Sequence, residues 1–272
     1  DGAGHPIALA TGSLPSASLV LPVDDHFAER AQALLNGLAP DGGLYVPTHI
    51  PSLAPGWESA SSMAEIGAHV LRPWLAEAFG SDRLEAIVED ALSFPVPLVE
   101  LQVGASQLAG EDWNGVSVLE LFHGPTLSFK DVGARTMARL MADALGDDEV
   151  TILAATSGDT GSAVADGFAG VPNVRVVLLY PKGQVSAVQE RQLVVERPGV
   201  QALAVEGTFD DCQRLVKAAF QNPVEGVRLS SANSINIGRL LPQMTYHAWA
   251  VRQLDADTPP TMIVPSGNLG NL

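Results

Sequence analysis

From residue 116 onward, the sequence alternates short apolar runs, rich in β-branched residues, with segments of helical periodicity. The runs are Val116–Leu121, Val150–Ala155, Val174–Tyr180, Val200–Val205 and Thr261–Val264. Among the helical segments between them are Phe209–Phe220, preceded by a capping Thr208, and Ile235–Leu254. Strands that alternate with helices form parallel sheets covered on both faces. The pattern therefore predicts an α/β fold, with parallel strands flanked by helices.

The preceding residues, 24–108, are predicted to form a mostly helical N-terminal domain. Apolar residues recur at helical spacing near its start, then in Ser62–Phe79 and again in Ser81–Leu92. Pro73 is expected to kink or split the second of these helices, because proline removes a backbone hydrogen bond. Residues 1–23 are rich in Gly, Ala, Ser and Pro without a period, and we expect an irregular lead-in there.

Composition narrows the classes of function. The net charge of −16 argues against nucleic acid as a partner, because phosphate binding needs a basic face. Cys212 is the only cysteine, which excludes an intrachain disulfide, and its place on an apolar helix side predicts a buried thiol. The six histidines lack the spacing of a metal site. No run reaches transmembrane length, so we expect a cytoplasmic protein with no metal, membrane or nucleic-acid partner.

Three unusual segments each follow one of the predicted strands. They are Leu121–Arg135, Ala155–Ser162 and Pro265–Asn271. In open α/β sheets, ligands bind beyond the carboxyl ends of the strands, where loops lead into helices. We therefore expect the three segments to meet at one edge of the sheet and to form the ligand site.

The second and third segments each allow two interpretations. Pro265–Asn271 is rich in glycine, which suits either an ordinary turn or a cradle of backbone amides for one phosphate. In Ala155–Ser162, five polar side chains stand at a predicted helix start, where one suffices for capping. The surplus leaves both capping and ligand binding open. The five are Thr156, Ser157, Asp159, Thr160 and Ser162.

Lys130 lies in the first segment, directly after Leu127-Ser128-Phe129 and before Asp131. A lysine is usually a solvated surface charge, but burial lowers its pKa and enables its neutral amine to form Schiff bases with carbonyls. The pattern around Lys130 leaves both interpretations open. Combined with a phosphate cradle and a hydroxyl-rich helix start, however, a reactive lysine suggests a phosphorylated aldehyde cofactor, pyridoxal 5'-phosphate.

Six segments of the chain resemble the threonine synthase family, pyridoxal-phosphate enzymes that make threonine from O-phosphohomoserine. They occur in the family's order and extend from about residue 27 to the end of the chain. The resemblance implies a type II pyridoxal-phosphate fold, like that of the tryptophan synthase β-subunit, over residues 109–272, preceded by the family's N-terminal domain. The segments are GLAPDGGLYVP (Gly37–Pro47), LFHGPTLSFKDVG (Leu121–Gly133), ATSGDTGSAV (Ala155–Val164), YPKGQVSAVQERQ (Tyr180–Gln192), SANSINIGRLLPQ (Ser231–Gln243) and PSGNLGN (Pro265–Asn271).

The resemblance also implies roles for individual residues. Lys130 is expected to form the aldimine with the cofactor and then to move protons, and Asp159 to lie near the cofactor's 3-oxygen. The backbone amides expected to hold the cofactor phosphate are those of Gly267, Asn268, Leu269, Gly270 and Asn271. The candidates for binding the substrate's carboxylate and phosphate are Thr156, Ser157, Thr160, Asn236 and Arg239. A guanidinium can hold an oxyanion through two hydrogen bonds.

The implied reaction is a β,γ-elimination of phosphate from O-phospho-L-homoserine, followed by addition of water at the β-carbon to give L-threonine. The chain departs from the family in three ways. Residues 1–23 lack a Ser-Thr-Arg-Gly signature, Leu269 replaces the usual Phe, and the sequence stops at Leu272. The family's large domain continues beyond that point, including the hydroxyl residue that faces the pyridine nitrogen, so we expect a chain truncated at its C-terminus.

Two other functions stay open at this level. One is a related lyase acting on another hydroxy- or phospho-amino acid. The other is a truncated, non-catalytic binding or scaffold protein that keeps only the fold. The sequence does not distinguish a monomer from a homodimer.

Overall fold

A computed structural model describes residues 27–37, 39, 43–47, 49–101, 115–254, 259–266 and 270–271. The helices are α1 (Phe27–Asn36), α2 (Met63–Phe79), α3 (Ser81–Ala91), α4 (Lys130–Leu145), α5 (Asp159–Gly167), α6 (Ala187–Val194), α7 (Phe209–Gln221), α8 (Ile237–Leu240) and α9 (Met244–Gln253). The strands are β1 (Leu98–Glu100), β2 (Ser117–Leu119), β3 (Val150–Ala155), β4 (Val174–Pro181), β5 (Val200–Val205) and β6 (Leu229–Ser230). The lead-in predicted at residues 1–23 and the domain boundary predicted between residues 108 and 109 lie outside the described residues.

The helices α1, α2 and α3 make the described N-terminal part mostly helical, as the sequence predicts. Ser62 caps α2 by accepting a hydrogen bond from the backbone N–H of Glu65 at 3.1 Å. Pro73 lies inside α2 without ending it, so the predicted split does not occur. Burial of the apolar face of α2, which includes Ile66 and Leu71, offsets the lost backbone hydrogen bond. None of the described helices is both long and apolar enough to cross a bilayer.

Four strands form a parallel sheet in the order β5-β4-β3-β6, which confirms the predicted α/β class. Successive residues of β3 alternate between two covered faces. On one face, Ile152 is buried with Met137 of α4 and with Phe168, the residue that follows α5. On the other, Ala155 packs against Cys212 of α7, whose predicted burial is confirmed. The carboxyl end of β3 therefore leads into α5 between two helical layers.

Three predicted elements differ from the structure. Residues 116–121 contribute β2 to a separate antiparallel pair with β1, and not to the parallel sheet. The helix predicted at Ile235–Leu254 is divided into α8, a 3-10 turn at Leu241–Gln243 and α9, because Pro242 lacks the N–H that a continuous helix needs. Thr261–Val264 is irregular and not a strand. Its residue Ile263 is 86% exposed, so the described part of the chain provides no buried surface against which a strand would pack.

The helix α4 belongs to two hydrophobic cores at once. Met137 and Met141 are buried in the core beneath the parallel sheet. Val132 and Leu140 are buried in the core of the N-terminal helices, which also contains Tyr246 of α9. Because α4 begins with Lys130, both cores fix the position of that residue.

Candidate cofactor site

Lys130 is the first residue of α4, and its amine faces the start of α5. The Nζ lies 3.5 Å from Oδ2 of Asp159 and 4.3 Å from the ring centroid of Phe129. Burial lowers the pKa of Lys130; the charge of Asp159 opposes this shift and that of Arg239 adds to it. The structure thus brings together Lys130 and Asp159, which the sequence assigned to one site, and leaves the amine easier to deprotonate than a surface lysine.

The two helices approach closely because α5 ends in a glycine. A Cβ on Gly167 would lie 3.0 Å from the backbone carbonyl carbon of Ala134 in α4. A side chain at this position would require the neighbouring backbone of α4 to shift by a few tenths of an ångström. Gly167 therefore helps to set the separation at which Lys130 reaches Asp159.

Asp131 fixes the turn that precedes the lysine. Its carboxylate is fully buried and accepts hydrogen bonds from the backbone N–H of Thr126 at 2.9 Å and from the Thr126 hydroxyl at 2.5 Å. Gly124 packs directly on it, since a Cβ there would lie 2.4 Å from Oδ2. Burial raises the pKa of Asp131, although the hydrogen bonds from Thr126 favour the ionised form. The sequence identified Asp131 only as the neighbour of Lys130 and missed this role.

Thr156 organises the second segment. Its buried hydroxyl accepts hydrogen bonds from the backbone N–H groups of Gly158 at 3.1 Å and Gly161 at 2.8 Å. These amides lie at the start of α5, where backbone donors lack helical partners. Ser157 is exposed and Thr160 is half-buried. Of the three residues in this segment predicted to contact substrate, Thr156 is therefore hydrogen-bonded within the protein, Ser157 is exposed and Thr160 is partly exposed.

We expect Thr156→Ala to lower the free energy of unfolding by about 1–2 kcal/mol, because two buried amides lose their acceptor. Thr156→Ser keeps the hydroxyl and should retain most of this stability. Urea denaturation of both variants, with the slope against urea concentration unchanged, measures the difference. Equal losses in the two variants would mean that packing of the methyl group, and not capping, dominates at this position.

The side chain of Asn236, which was predicted to contact substrate, is hydrogen-bonded within the protein. Its Nδ2 donates to the backbone oxygens of Leu34 and Ser231, each at 2.9 Å. Its Oδ1 accepts from the backbone N–H of Gly238 at 2.8 Å. The amide thus caps α8 and ties it to α1. This geometry favours a structural role, and the substrate contact stays a prediction.

Arg239 is a buried cation with a donor that lacks a partner. It is 3% exposed; its Nη1 donates to the backbone oxygen of Ala232 at 2.6 Å, and its Nε has no partner among the described residues. The arginine packs against α4, where a Cβ on Gly133 would lie 2.8 Å from the Arg239 backbone oxygen. Burial lowers the pKa of Arg239 to about 10, so it stays charged at neutral pH. The unpaired Nε faces α4, since a Cβ on Gly133 would lie 3.2 Å from it, so the buried positive charge, and not this donor, is the feature that favours an anion nearby.

The third segment is described only at its ends. The Ser266 hydroxyl donates to Oδ1 of Asn271, and Nε2 of His247 in α9 lies 3.1 Å from the backbone oxygen of Asn271. Gly267, Asn268 and Leu269 lie outside the described residues. The phosphate contacts assigned to these three residues, and to Gly270 and Asn271, stay predictions.

Two glutamines of α6 contact the first and second segments. The Nε2 of Gln189 donates to Oδ1 of Asp159 at 2.7 Å, and the Nε2 of Gln192 lies 3.5 Å from the backbone oxygen of Thr126. Sequence reasoning assigned neither glutamine a role. Both lie in Tyr180–Gln192, a segment marked only by its resemblance to a family, and that resemblance is the signal that could have drawn attention to them.

Comparisons with known proteins identify the family. A family model described as pyridoxal-phosphate dependent enzyme matches residues 92–272, and one described as threonine synthase N terminus matches residues 25–92. The chain is 41% identical over 251 residues to the threonine synthase of Escherichia coli (strain K12), covering 89% of this chain and 56% of that protein. It is 38% identical over 267 residues to that of Schizosaccharomyces pombe, covering 89% of this chain and 50% of the relative.

Solved structures give the same result for the fold. The crystal structure of E. coli threonine synthase matches with a TM-score of 0.78 at 40% identity, over 89% of this chain and 56% of that one. The pyridoxal-phosphate-bound threonine synthase of Brucella melitensis matches with a TM-score of 0.76 at 40% identity, over 89% and 53%. The chain thus spans about half the length of the relatives it matches. With one family model covering most of its length, the chain belongs to the family of pyridoxal-phosphate-dependent enzymes, and it carries the N-terminal region typical of threonine synthases.

Proposed function

We propose that this chain provides the cofactor lysine of a threonine synthase, a lyase of amino-acid biosynthesis that converts O-phospho-L-homoserine and water to L-threonine and phosphate. The observation that carries the proposal is the amine of Lys130, which is largely buried, has a lowered pKa and lies 3.5 Å from Asp159. Similarity to threonine synthases over 89% of the chain supports the substrate. We further propose that residues 24–108 form the N-terminal domain and residues 109–272 part of the cofactor-binding domain.

The described residues fit pyridoxal 5'-phosphate. Lys130 offers an amine whose pKa is lowered by burial, and Arg239 offers a buried cation whose Nε lacks a partner among the described residues. When bound, the cofactor supplies an aldehyde that condenses with amines and a ring that stores the electrons released by deprotonation. The residues proposed to hold it are Lys130, Asp159, Gly267, Asn268, Leu269, Gly270 and Asn271.

The roles proposed for the chain's own groups follow from their exposure and charge. The amine of Lys130 takes up and returns protons, and Asp159 stabilises it while it is charged. Arg239, Ser157 and Thr160 bind the oxyanions of the substrate: Arg239 contributes a buried positive charge, and Ser157 and Thr160 contribute hydroxyls that are not fully buried. Thr156 and Asn236 hold the surrounding loops in place.

The reaction is best tested in a chimera, since the matched relatives are about twice as long as this chain, which covers 56% of the E. coli protein. In the chimera, this chain replaces the matching part of E. coli threonine synthase. We expect phosphate release from O-phospho-L-homoserine that exceeds the release by a chimera carrying Lys130→Ala. Ammonia release from threonine, without phosphate release, would instead indicate a different lyase. A folded chimera that releases neither product would support a binding or scaffold role.

A further inference from the structure

The start of α6 is tied to the start of α5 by one amide group, that of Gln189. Its Nε2 donates to Oδ1 of Asp159 at 2.7 Å, and its Oε1 accepts from the backbone N–H of Ser186 at 3.2 Å. The Ser186 hydroxyl in turn accepts from the backbone N–H of Gln189 at 3.3 Å, which completes a capping box. A side chain that would normally serve only its own helix therefore also holds a residue of the candidate site.

The carboxylate of Asp159 is divided between two partners. Its Oδ1 binds Gln189, while its Oδ2 lies 3.5 Å from Nζ of Lys130. The Asp159 side chain is 48% exposed, so without a second partner it would be free to rotate toward water. The hydrogen bond from Gln189 restricts this rotation and keeps Oδ2 directed at the amine.

The backbone around Asp159 accommodates this contact. Gly158 has a φ of 142°, a conformation that strongly favours glycine. A Cβ at this position would lie 2.4 Å from both Cδ and Nε2 of Gln189. The amide of Gln189 thus lies directly on the glycine, and a larger residue there would displace it. Gly158, Asp159 and Gln189 form a single packed unit.

We propose that Gln189 is a positioning residue that holds Asp159 against Lys130 and thereby favours the charged form of the lysine amine in the absence of ligand. Within the part of the chain that the structure describes, the charged groups that act on Lys130 are Asp159, Arg239 and Asp131. Arg239 and Asp131 are buried and held by other hydrogen bonds, so Asp159 is the group whose position Gln189 controls. The relevance of this contact to catalysis rests on the proposed function, whereas the contact itself does not depend on it.

The test measures the titration of Lys130 without cofactor, so its outcome is independent of whether the chain binds pyridoxal phosphate. The rate of reductive methylation is followed against pH by mass spectrometry. The chain has three lysines, and the exposed Lys182 and Lys217 serve as internal references. In Gln189→Leu, we expect the midpoint for Lys130 to move to lower pH and labelling at neutral pH to be about threefold faster. If the amine of Lys130 only became more accessible, its methylation rate would rise by the same factor at every pH and the midpoint would not move.

Three further variants complete the experiment. Ser186→Ala removes the other half of the capping box and should leave the midpoint unchanged. Asp159→Asn should shift it, and adding Gln189→Leu to Asp159→Asn should cause no further shift, because both act on one interaction. Gln189→Met replaces Gln189→Leu if the latter does not fold, as judged by urea denaturation. An unchanged midpoint in the Gln189 variant, or an equal shift in Ser186→Ala, would overturn the proposal.

Discussion

Lys130→Ala is expected to abolish the borohydride-stable adduct that pyridoxal phosphate forms at residue 130. Borohydride reduction makes the bond between an amine and the cofactor's aldehyde carbon permanent, and only a neutral amine forms that bond. Because burial lowers the pKa of Lys130, a larger fraction of this amine is neutral near pH 7 than for a fully solvated lysine. After brief exposure to the cofactor, peptide mass spectrometry should find the adduct at Lys130 in the unaltered chain and no adduct at this position in the variant.

Lys182→Ala is the matched control for this experiment. Lys182 pairs with Glu206 and is 60% exposed, so its removal should leave the adduct at Lys130 intact. Urea denaturation establishes that both variants are folded. Equal labelling of Lys130, Lys182 and Lys217 in the unaltered chain would contradict the expectation, since it would make Lys130 an ordinary surface amine.

Asp131→Ala should lower the free energy of unfolding by about 2–3 kcal/mol, because it leaves the N–H and hydroxyl of Thr126 without an acceptor. Thr126 is 6% exposed, so water does not readily replace the lost partner. The turn that packs on the carboxylate through Gly124 also loses its support. Urea denaturation gives the change in stability, and the methylation profile of Lys130 shows whether the lysine moves with the turn.

Asp131→Asn is the informative partner variant, because its amide can both accept from the Thr126 N–H and donate to the hydroxyl. Burial raises the pKa of Asp131 above the ordinary value of 3.8, so ionisation favours the unfolded state. The contribution of Asp131 to stability is therefore full below this value and declines as the pH rises through the folded-state pKa. We expect the stability of Asp131→Asn to show no such decline. Its free energy of unfolding should therefore rise relative to that of the unaltered chain as the pH rises above 4. A constant difference between them at all pH values would contradict the argument.

The sequence predicts best those elements whose signal is local. β3 was predicted with the bounds that the structure has, because a β-branched run flanked by polar residues suits a buried strand. Thr208 was likewise identified as the cap of α7. The run 116–121 has a similar pattern but pairs with β1, and its composition does not encode the choice of partner. Pro73 and Pro242 carry the same local signal, yet only Pro242 accompanies a division of the helix, because burial of the whole α2 face outweighs the lost hydrogen bond.

Local sequence signals predict the candidate site only in part as well. Lys130 and Asp159 were expected to meet because both follow predicted strands, but the lysine segment does not follow a strand of the parallel sheet. Instead, they are the first residues of α4 and α5, two helices that pack closely together. Asp131 and Gln189 act through contacts that spacing alone does not reveal: a buried turn and a neighbouring helix. The sequence thus indicated which residues carry the chemistry, whereas packing determines which residues hold them.

The placement of α4 in two cores has a consequence for how such chains can change over generations. The two matched family regions meet at residue 92, but Val88 on one side of that point is buried in the same core as Val132 and Leu140 on the other. Recombination between relatives at residue 92 would join a helix face from one parent to a surface shaped by the other. Substitutions in α3 are therefore transmitted to the helix that begins at Lys130, and we expect the two regions to diversify together, with compensating changes across the α3–α4 contact.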